Sequence, residues 1–116
     1  MSQKVADMGG SEVRFNHGVS QTDGRADVQV CTRALRRAIM HADNEDDAAA
    51  FADLFTRLVE QQQYTEGHHA VSLELSDMEI RHLHLAHMMA ADSMPEFDSD
   101  FAETFRQNKK RLPTEA

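Results

Sequence analysis

Seven histidines in 116 residues suggest metal chemistry, because histidine is a common metal ligand and three of them stand close together. If that segment is helical, His84 and His87 lie roughly 60° apart on one face, whereas His82 lies roughly 140–160° from both. The three therefore cannot bind one ion together. A loop containing His68 and His69 could complete a site on the shared face. A metal-binding helical protein with histidine and glutamate ligands thus stays an alternative.

Glu79 and His82 form the E-x-x-H half-motif of di-iron carboxylate bundles, which need further glutamates from other helices. Acidic residues in this sequence cluster near predicted helix starts and do not recur as inward-facing pairs. Neither H-E-x-x-H nor a cysteine-based zinc pattern occurs. We therefore predict no metal ligands and no cofactor. His84 and His87 should pack against the core. His82 should face Glu79 at the surface.

Patterns typical of catalysis are also missing. The sequence has no phosphate-binding loop, no dinucleotide glycine fingerprint and no G-x-S-x-G elbow. Cys31 is the single cysteine, which excludes an intrachain disulfide, and its neighbours Leu35 and Ala38 indicate a buried thiol on a helix. Adjacent carboxylates such as Asp46 and Asp47 suit helix capping and solvation. We therefore do not expect an enzyme.

Carboxylates are concentrated in the middle of the chain. Between Asp43 and Glu103 there are fifteen of them and only two basic residues, Arg57 and Arg81. That 61-residue stretch therefore carries a net charge of −13, whereas the whole protein carries −8. Charge of one sign steers association with a complementary surface and repels wrong partners. The leading hypothesis is thus a non-enzymatic protein-interaction module that binds a basic surface.

The sharper form of this hypothesis is a nucleic-acid mimic that inhibits a DNA- or RNA-binding enzyme. Duplex DNA carries one charge per roughly 1.7 Å, so fifteen carboxylates at that density would cover roughly 25 Å, a suitable length for a small domain. The simpler alternative is a solvated face that keeps the protein soluble. The predicted partner-binding residues are Asp43, Glu45, Asp46, Asp47, Asp53, Glu60, Asp92, Glu96, Asp98, Asp100 and Glu103.

Three further features bear on partners. An arginine face formed by Arg33, Arg36 and Arg37 could contact phosphate, but pairing with the acidic helices of the same chain is favoured, and direct nucleic-acid binding is not expected. The segment 1–24 and the basic residues from Arg106 onward could hold neighbours, so a structural or accessory subunit of a larger assembly is another alternative. A methionine-rich face on the third helix leaves a homodimer open.

The elements that position these residues are predicted to be helices. Apolar residues recur at helical spacing, as in the stripes Phe51–Leu54–Leu58 and Phe97–Phe101–Phe105. We predict an all-α fold, a small bundle of about four helices with a flexible N-terminal arm. The predicted helices span 26–42, 45–64, 77–91 and 95–110. The domain division is an arm at 1–24, one helical domain at 25–112 and a tail at 113–116.

Local signals define the helix starts. Asn44 is a predicted N-cap, and Ser76 and Glu79 match a capping box. A second box could start at Ser93. The alternating segment 71–75 is either extended coil or a strand paired with residues 13–15. No signal peptide and no stretch of 18 apolar residues occurs, so we expect a cytoplasmic protein that does not contact membranes.

Overall fold

The structure, a computed structural model, describes residues 11–16, 25–64, 70–95 and 98–113. Within those ranges it contains two strands and four helices, which are β1 (Ser11–Asn16), α1 (Val28–His41), α2 (Glu45–Tyr64), β2 (Ala70–Leu75), α3 (Asp77–Asp92) and α4 (Ser99–Arg111). The predicted four-helix fold is confirmed, and so is the short strand pairing. The predictions for His68, His69 and Glu96, for the tail 114–116 and for the arm on either side of β1 lie outside the described residues.

β1 and β2 form an antiparallel pair in which Val13 lies opposite Leu73 and Phe15 lies opposite Val71. Side chains alternate between the two faces of a strand, and Val13, Phe15 and Val71 are buried on the face toward the helices. A two-stranded sheet is marginally stable in water by itself. This sheet therefore depends on the helical core that covers its apolar face, and the core in turn includes part of the predicted arm.

α1 and α3 are central in the bundle, because α2 and α4 each pack on both of them. α2 and α4 make no substantial contact with each other within the described ranges. One large apolar cluster joins the sheet to α1, α2 and α3, and it includes Phe15, Leu35, Phe51 and Leu83. A smaller cluster of alanines surrounds Phe105 where α1, α3 and α4 meet. Over the described residues, no helix has both the length and the apolar character needed to cross a bilayer.

The helix starts follow the predicted capping chemistry for α2 and α3. The side-chain oxygen of Asn44 accepts a hydrogen bond of 2.8 Å from the Asp47 backbone N–H. In α3 the Ser76 hydroxyl oxygen accepts from the Glu79 N–H at 3.1 Å, while the Ser76 N–H donates to the Glu79 carboxylate at 2.8 Å. The box therefore satisfies two backbone N–H groups that have no partner inside the helix.

α4 begins at Ser99, four residues later than predicted, because Ser93 has another role. Ser93 is the C-cap of α3, and its backbone N–H donates to the carbonyl oxygens of Met89 and Ala91. Its hydroxyl donates to the Ala90 carbonyl oxygen. Ser93 therefore ends α3 and does not start α4, and Glu96 of the predicted second box lies outside the described residues.

Replacing Ser76 with alanine is expected to lower the free energy of unfolding by about 1 kcal/mol, because the Glu79 N–H loses its acceptor. Urea denaturation followed by circular dichroism measures the loss. The matched control is Ser99→Ala, since Ser99 is an exposed serine at the start of α4 that is not the N-cap, which is Asp98. Equal losses in the two variants would contradict the role of the Ser76 box.

Candidate interaction surfaces

One side of α2 carries exposed carboxylates separated by small side chains. Asp46, Asp53 and Glu60 are all exposed and recur every seven residues, so they form a line along the helix with successive members roughly 10.5 Å apart. Exposed Ala49 and Ala52 lie between the first two. We call this surface the acidic face. It consists of Glu45, Asp46, Ala49, Ala52, Asp53, Thr56 and Glu60.

The acidic face has little compensating charge. Arg57, the single arginine of α2, forms an ion pair with Glu79 of α3 and donates a hydrogen bond of 2.7 Å to the Glu74 carbonyl oxygen. Its guanidinium lies 3.9 Å from the Asp53 carboxylate, an exposed pair of the kind that contributes little. Glu45, Asp46 and Glu60 have no cation within 4 Å among the described residues. The charge of this face therefore points to solvent with little local neutralisation.

Asp47 differs from its acidic neighbours because its surroundings hold it in place. Its backbone N–H is capped by Asn44, and its carboxylate accepts a weaker contact of 3.3 Å from the Asn44 amide. His82 Nε2 lies 3.8 Å from the Asp47 carboxylate, and the His82 ring packs edge-on against Phe51. The expectation that His82 faces Glu79 is therefore wrong, because the Glu79 carboxylate accepts from the Ser76 N–H and pairs with Arg57.

Four of the remaining predicted partner-binding residues lie where α3 leads into α4. Asp92, Asp100 and Glu103 are exposed and Asp98 is half-buried. Glu103 accepts a hydrogen bond of 2.6 Å from the Gln107 amide, which together with nearby Arg106 lowers the pKa of Glu103. Because α2 and α4 do not pack together, the predicted carboxylates form two separate groups rather than one surface. Asp43 is exposed just before α2 and belongs with the first group.

A groove runs between α1 and the start of α4 and has a volume of about 380 Å³. Its principal lining residues are Arg33, Arg36, Arg37, Met40, Asp98 and Phe101. Two of them are large apolar side chains left in solvent, since Met40 is 78% exposed and Phe101 is 49% exposed. Sequence patterns identified the arginine face, whereas the exposure of Phe101, a member of the apolar stripe of α4, was not foreseen. We call this surface the basic groove.

Among the described residues, the arginine face does not pair with the acidic helices, contrary to expectation. Arg37 donates from Nε to the Ser93 hydroxyl at 2.9 Å and from a terminal nitrogen to the Ser93 carbonyl oxygen at 3.3 Å. Arg33 and Arg36 are exposed and have no hydrogen bond or ion pair to any described residue. α1 presents these arginines toward the start of α4, away from the carboxylates of α2, and Asp98 beside them forms no ion pair with them.

A buried polar cluster lies where α1, α3 and α4 meet. The Asn108 side-chain oxygen accepts from the Asp27 backbone N–H at 2.6 Å, and its amide nitrogen donates to His87 Nε2 at 3.0 Å. His87 Nδ1 donates to the Leu83 carbonyl oxygen at 2.8 Å. These contacts fix the ring as the neutral Nδ1–H tautomer. Burial lowers the pKa of His87 to about 4, which agrees with that assignment.

Asn108 was missed by sequence reasoning, because its neighbours Gln107 and Lys109 made the end of α4 look uniformly polar. Its position in the sequence was the signal that could have identified it as a buried residue. Asn108 lies three residues after buried Phe105 and four before buried Leu112, so it continues the apolar stripe of α4. A polar residue on such a stripe is expected to have buried hydrogen-bond partners.

These histidines form no metal centre with the other described residues. No three histidine, cysteine, aspartate or glutamate side chains in the described ranges are grouped closely enough to hold an ion. His84 Nε2 donates to the Pro113 carbonyl oxygen at 2.6 Å, and both His84 and His87 are buried. The prediction that these two histidines pack against the core is therefore confirmed.

The methionine-rich face of α3 is largely covered within one chain. Leu85 and Met89 are half-buried and pack against the large apolar cluster. Met78 remains 57% exposed. This arrangement matches the interpretation in which α3 lies between other helices, and it leaves little apolar surface on that face for a second chain.

The Cys31 thiol is expected to be unreactive in the folded protein, because it is fully buried and burial raises its pKa, which disfavours the thiolate. A disulfide reagent such as DTNB should label the native protein only as fast as the chain unfolds, and should label it at once in denaturant. The matched control is Ala52→Cys, which places a thiol on the exposed side of α2. Rapid labelling of native wild-type protein would contradict this burial.

Comparison of the chain with protein-family models, with curated proteins and with solved structures finds no match in any of the three.

Proposed function

We propose that the protein is a non-enzymatic interaction module of the cytoplasm, whose acidic face on α2 binds a basic surface on a protein partner. The observation that carries the proposal is the lack of compensation on this face. Asp46 and Glu60 have no nearby cation among the described residues, and Arg57 is engaged by Glu79. Carboxylates that served only to keep the protein soluble would be expected beside cations three or four residues away, because such ion pairs stabilise a helix.

Charge density favours this broad form over nucleic-acid mimicry. The line from Asp46 to Glu60 is roughly 21 Å long and holds three carboxylates, with Glu45 beside it. Duplex DNA of that length carries roughly twelve charges. The second acidic group, which includes Asp98 and Asp100, lies at the start of α4, which does not pack on α2. The charge density along the described part of these helices is therefore well below that of a nucleic-acid duplex.

The exposed alanines suggest how a partner would approach. Ala49 and Ala52 are short, so another element could pack closely on α2 while its cations reach the carboxylates at either side. Partly desolvated charge pairs are worth more than pairs in open solvent. The interface would therefore combine close backbone approach with a few ion pairs, and its affinity would fall steeply as salt is raised.

Capture of partners from a cell extract at low and high salt tests the proposal. Immobilised wild-type protein is compared with the charge-reversed variant D46K/D53K/E60K. The matched control is E12K/E74K/D77K, which changes the net charge equally at exposed carboxylates outside the acidic face and outside the predicted partner-binding set. We expect the first variant to lose its partner by at least about tenfold and the control to keep it. Equal capture by all three proteins, or no salt-sensitive capture by the wild type, would overturn the proposal.

A further inference from the structure

The basic groove combines two features that a surface exposed to water rarely keeps together. Met40 and Phe101 project into solvent although both are large apolar side chains. Arg33 and Arg36 beside them have no partner among the described residues, so their guanidinium groups are available to an anion. Apolar contact area next to uncommitted arginines is typical of interface centres.

The charge of the groove determines the sign of its occupant. Three guanidinium groups line it, from Arg33, Arg36 and Arg37, and among the described lining residues the one carboxylate is Asp98. The contact between Arg37 and Ser93 involves neutral groups, so the positive charge of Arg37 is not cancelled there. The groove therefore has an excess of positive charge and fits a ligand that is acidic and carries apolar or small side chains.

The same chain presents such a surface on α2. Asp46 and Asp53 flank Ala49 and Ala52, so the acidic face offers carboxylates at its edges and small apolar side chains between them. Met40 and Phe101 are protruding side chains that such small residues can accommodate. Neither surface is neutralised by the other within one molecule, because Arg33 and Arg36 have no ion pair with the described carboxylates.

We infer that the basic groove is the binding site for the acidic face of a second copy of this chain. This inference rests on the proposed function and names the partner of the acidic face. Charge complementarity favours a second copy as the occupant, since Arg33 and Arg36 of one molecule would form ion pairs with Asp46 and Asp53 of the other. The contact joins two different patches, so it either closes into a symmetric dimer, in which it forms twice, or extends into larger oligomers.

Sedimentation velocity of the purified full chain over a wide concentration range tests the inference. Wild-type protein should self-associate at low salt and dissociate as salt is raised. Either R33E/R36E or D46R/D53R alone should weaken self-association by at least about tenfold. All four positions are on exposed helix surfaces, and arginine and glutamate are both good helix formers, so the variants should fold.

Mixing the two variants gives the decisive result. The R33E/R36E protein keeps an acidic α2 that fits the unchanged groove of its companion, and the D46R/D53R protein has a basic α2 that fits the reversed groove. The mixture should therefore associate although neither variant does so alone. The matched control R14E/R81E reverses two exposed arginines outside the groove and should behave like the wild type.

A wild-type protein that stays monomeric at every concentration would overturn the inference, and so would R33E/R36E protein that associates normally or a mixture that fails to associate. Failure here is distinguishable from failure of the proposed function. If the wild type is monomeric but D46K/D53K/E60K still loses a captured protein, the acidic face binds another partner and only the inference is lost. If the captured protein instead binds in the basic groove, the inference that a second copy of this chain occupies the groove is also contradicted.

Discussion

Replacing Asn108 with leucine is expected to lower the free energy of unfolding by roughly 3–5 kcal/mol, a large loss for a single substitution. Leucine has a similar volume but no polar atoms, so the Asp27 backbone N–H and His87 Nε2 would stay buried without partners. Each buried group left unsatisfied costs about 1–3 kcal/mol. Urea denaturation with a two-state fit measures the loss.

Two comparisons identify the cause of that loss. Gln107→Leu removes the adjacent amide, which is exposed and bonds Glu103 at the surface, so it should cost much less. The double variant H87L/N108L removes both members of one buried hydrogen bond, and it should be less destabilising than the sum of its single variants. Additive losses, or a Gln107→Leu variant as unstable as Asn108→Leu, would show that the Asn108 hydrogen bonds are not responsible.

The helices could be predicted from the sequence because their determinants are local. Asn44 and Ser76 are caps that act within three residues, and the apolar stripes of α2 and α3 bury the side chains that the helical period selects. The strand pairing could not be decided in the same way, because a pairing of Phe15 with Val71 spans more than fifty residues. Non-local contacts of this kind are not determined by a short sequence window.

The sites were harder to predict for the same reason. Phe101 continues an apolar stripe by spacing, yet it is half exposed because α1 covers only the Ala102 and Phe105 side of α4. The pairing of the arginine face with carboxylates also failed, since charge counts do not show which way a helix presents its cations. The residue types alone identified the acidic face, but the packing of α2 against α3 was needed to show that Arg57 pairs with Glu79.

Stability and recognition depend on different parts of the molecule. The buried hydrogen bonds of Asn108 and His87 hold α1, α3 and α4 together and have no contact with solvent. The acidic face and the basic groove lie outside that cluster, on exposed side chains whose replacement leaves buried groups satisfied. Charge reversal on these surfaces should therefore change association while leaving the free energy of unfolding nearly unchanged.

Acidification is expected to destabilise the protein through His87. The folded pKa of His87 is about 4, below the value of 6.5 for an unperturbed histidine, chiefly because the ring is buried. As the pH falls below 6.5, the unfolded chain binds a proton at this site while the folded chain does not, so stability falls until about pH 4. The full contribution is present above pH 6.5, and its loss amounts to roughly 3 kcal/mol.

Comparison of variants isolates this effect from the rest of the titration. Protonation of carboxylates in acid also relieves repulsion in a chain of net charge −8, but that change is common to all variants. His87→Gln has no proton to gain, and its side-chain oxygen can accept from Asn108, so its unfolding free energy should fall much less between pH 7 and about pH 4.5. His41→Gln removes an exposed histidine and should keep the wild-type slope. If His87→Gln and wild type lose stability in parallel, His87 is not the group that opposes folding in acid.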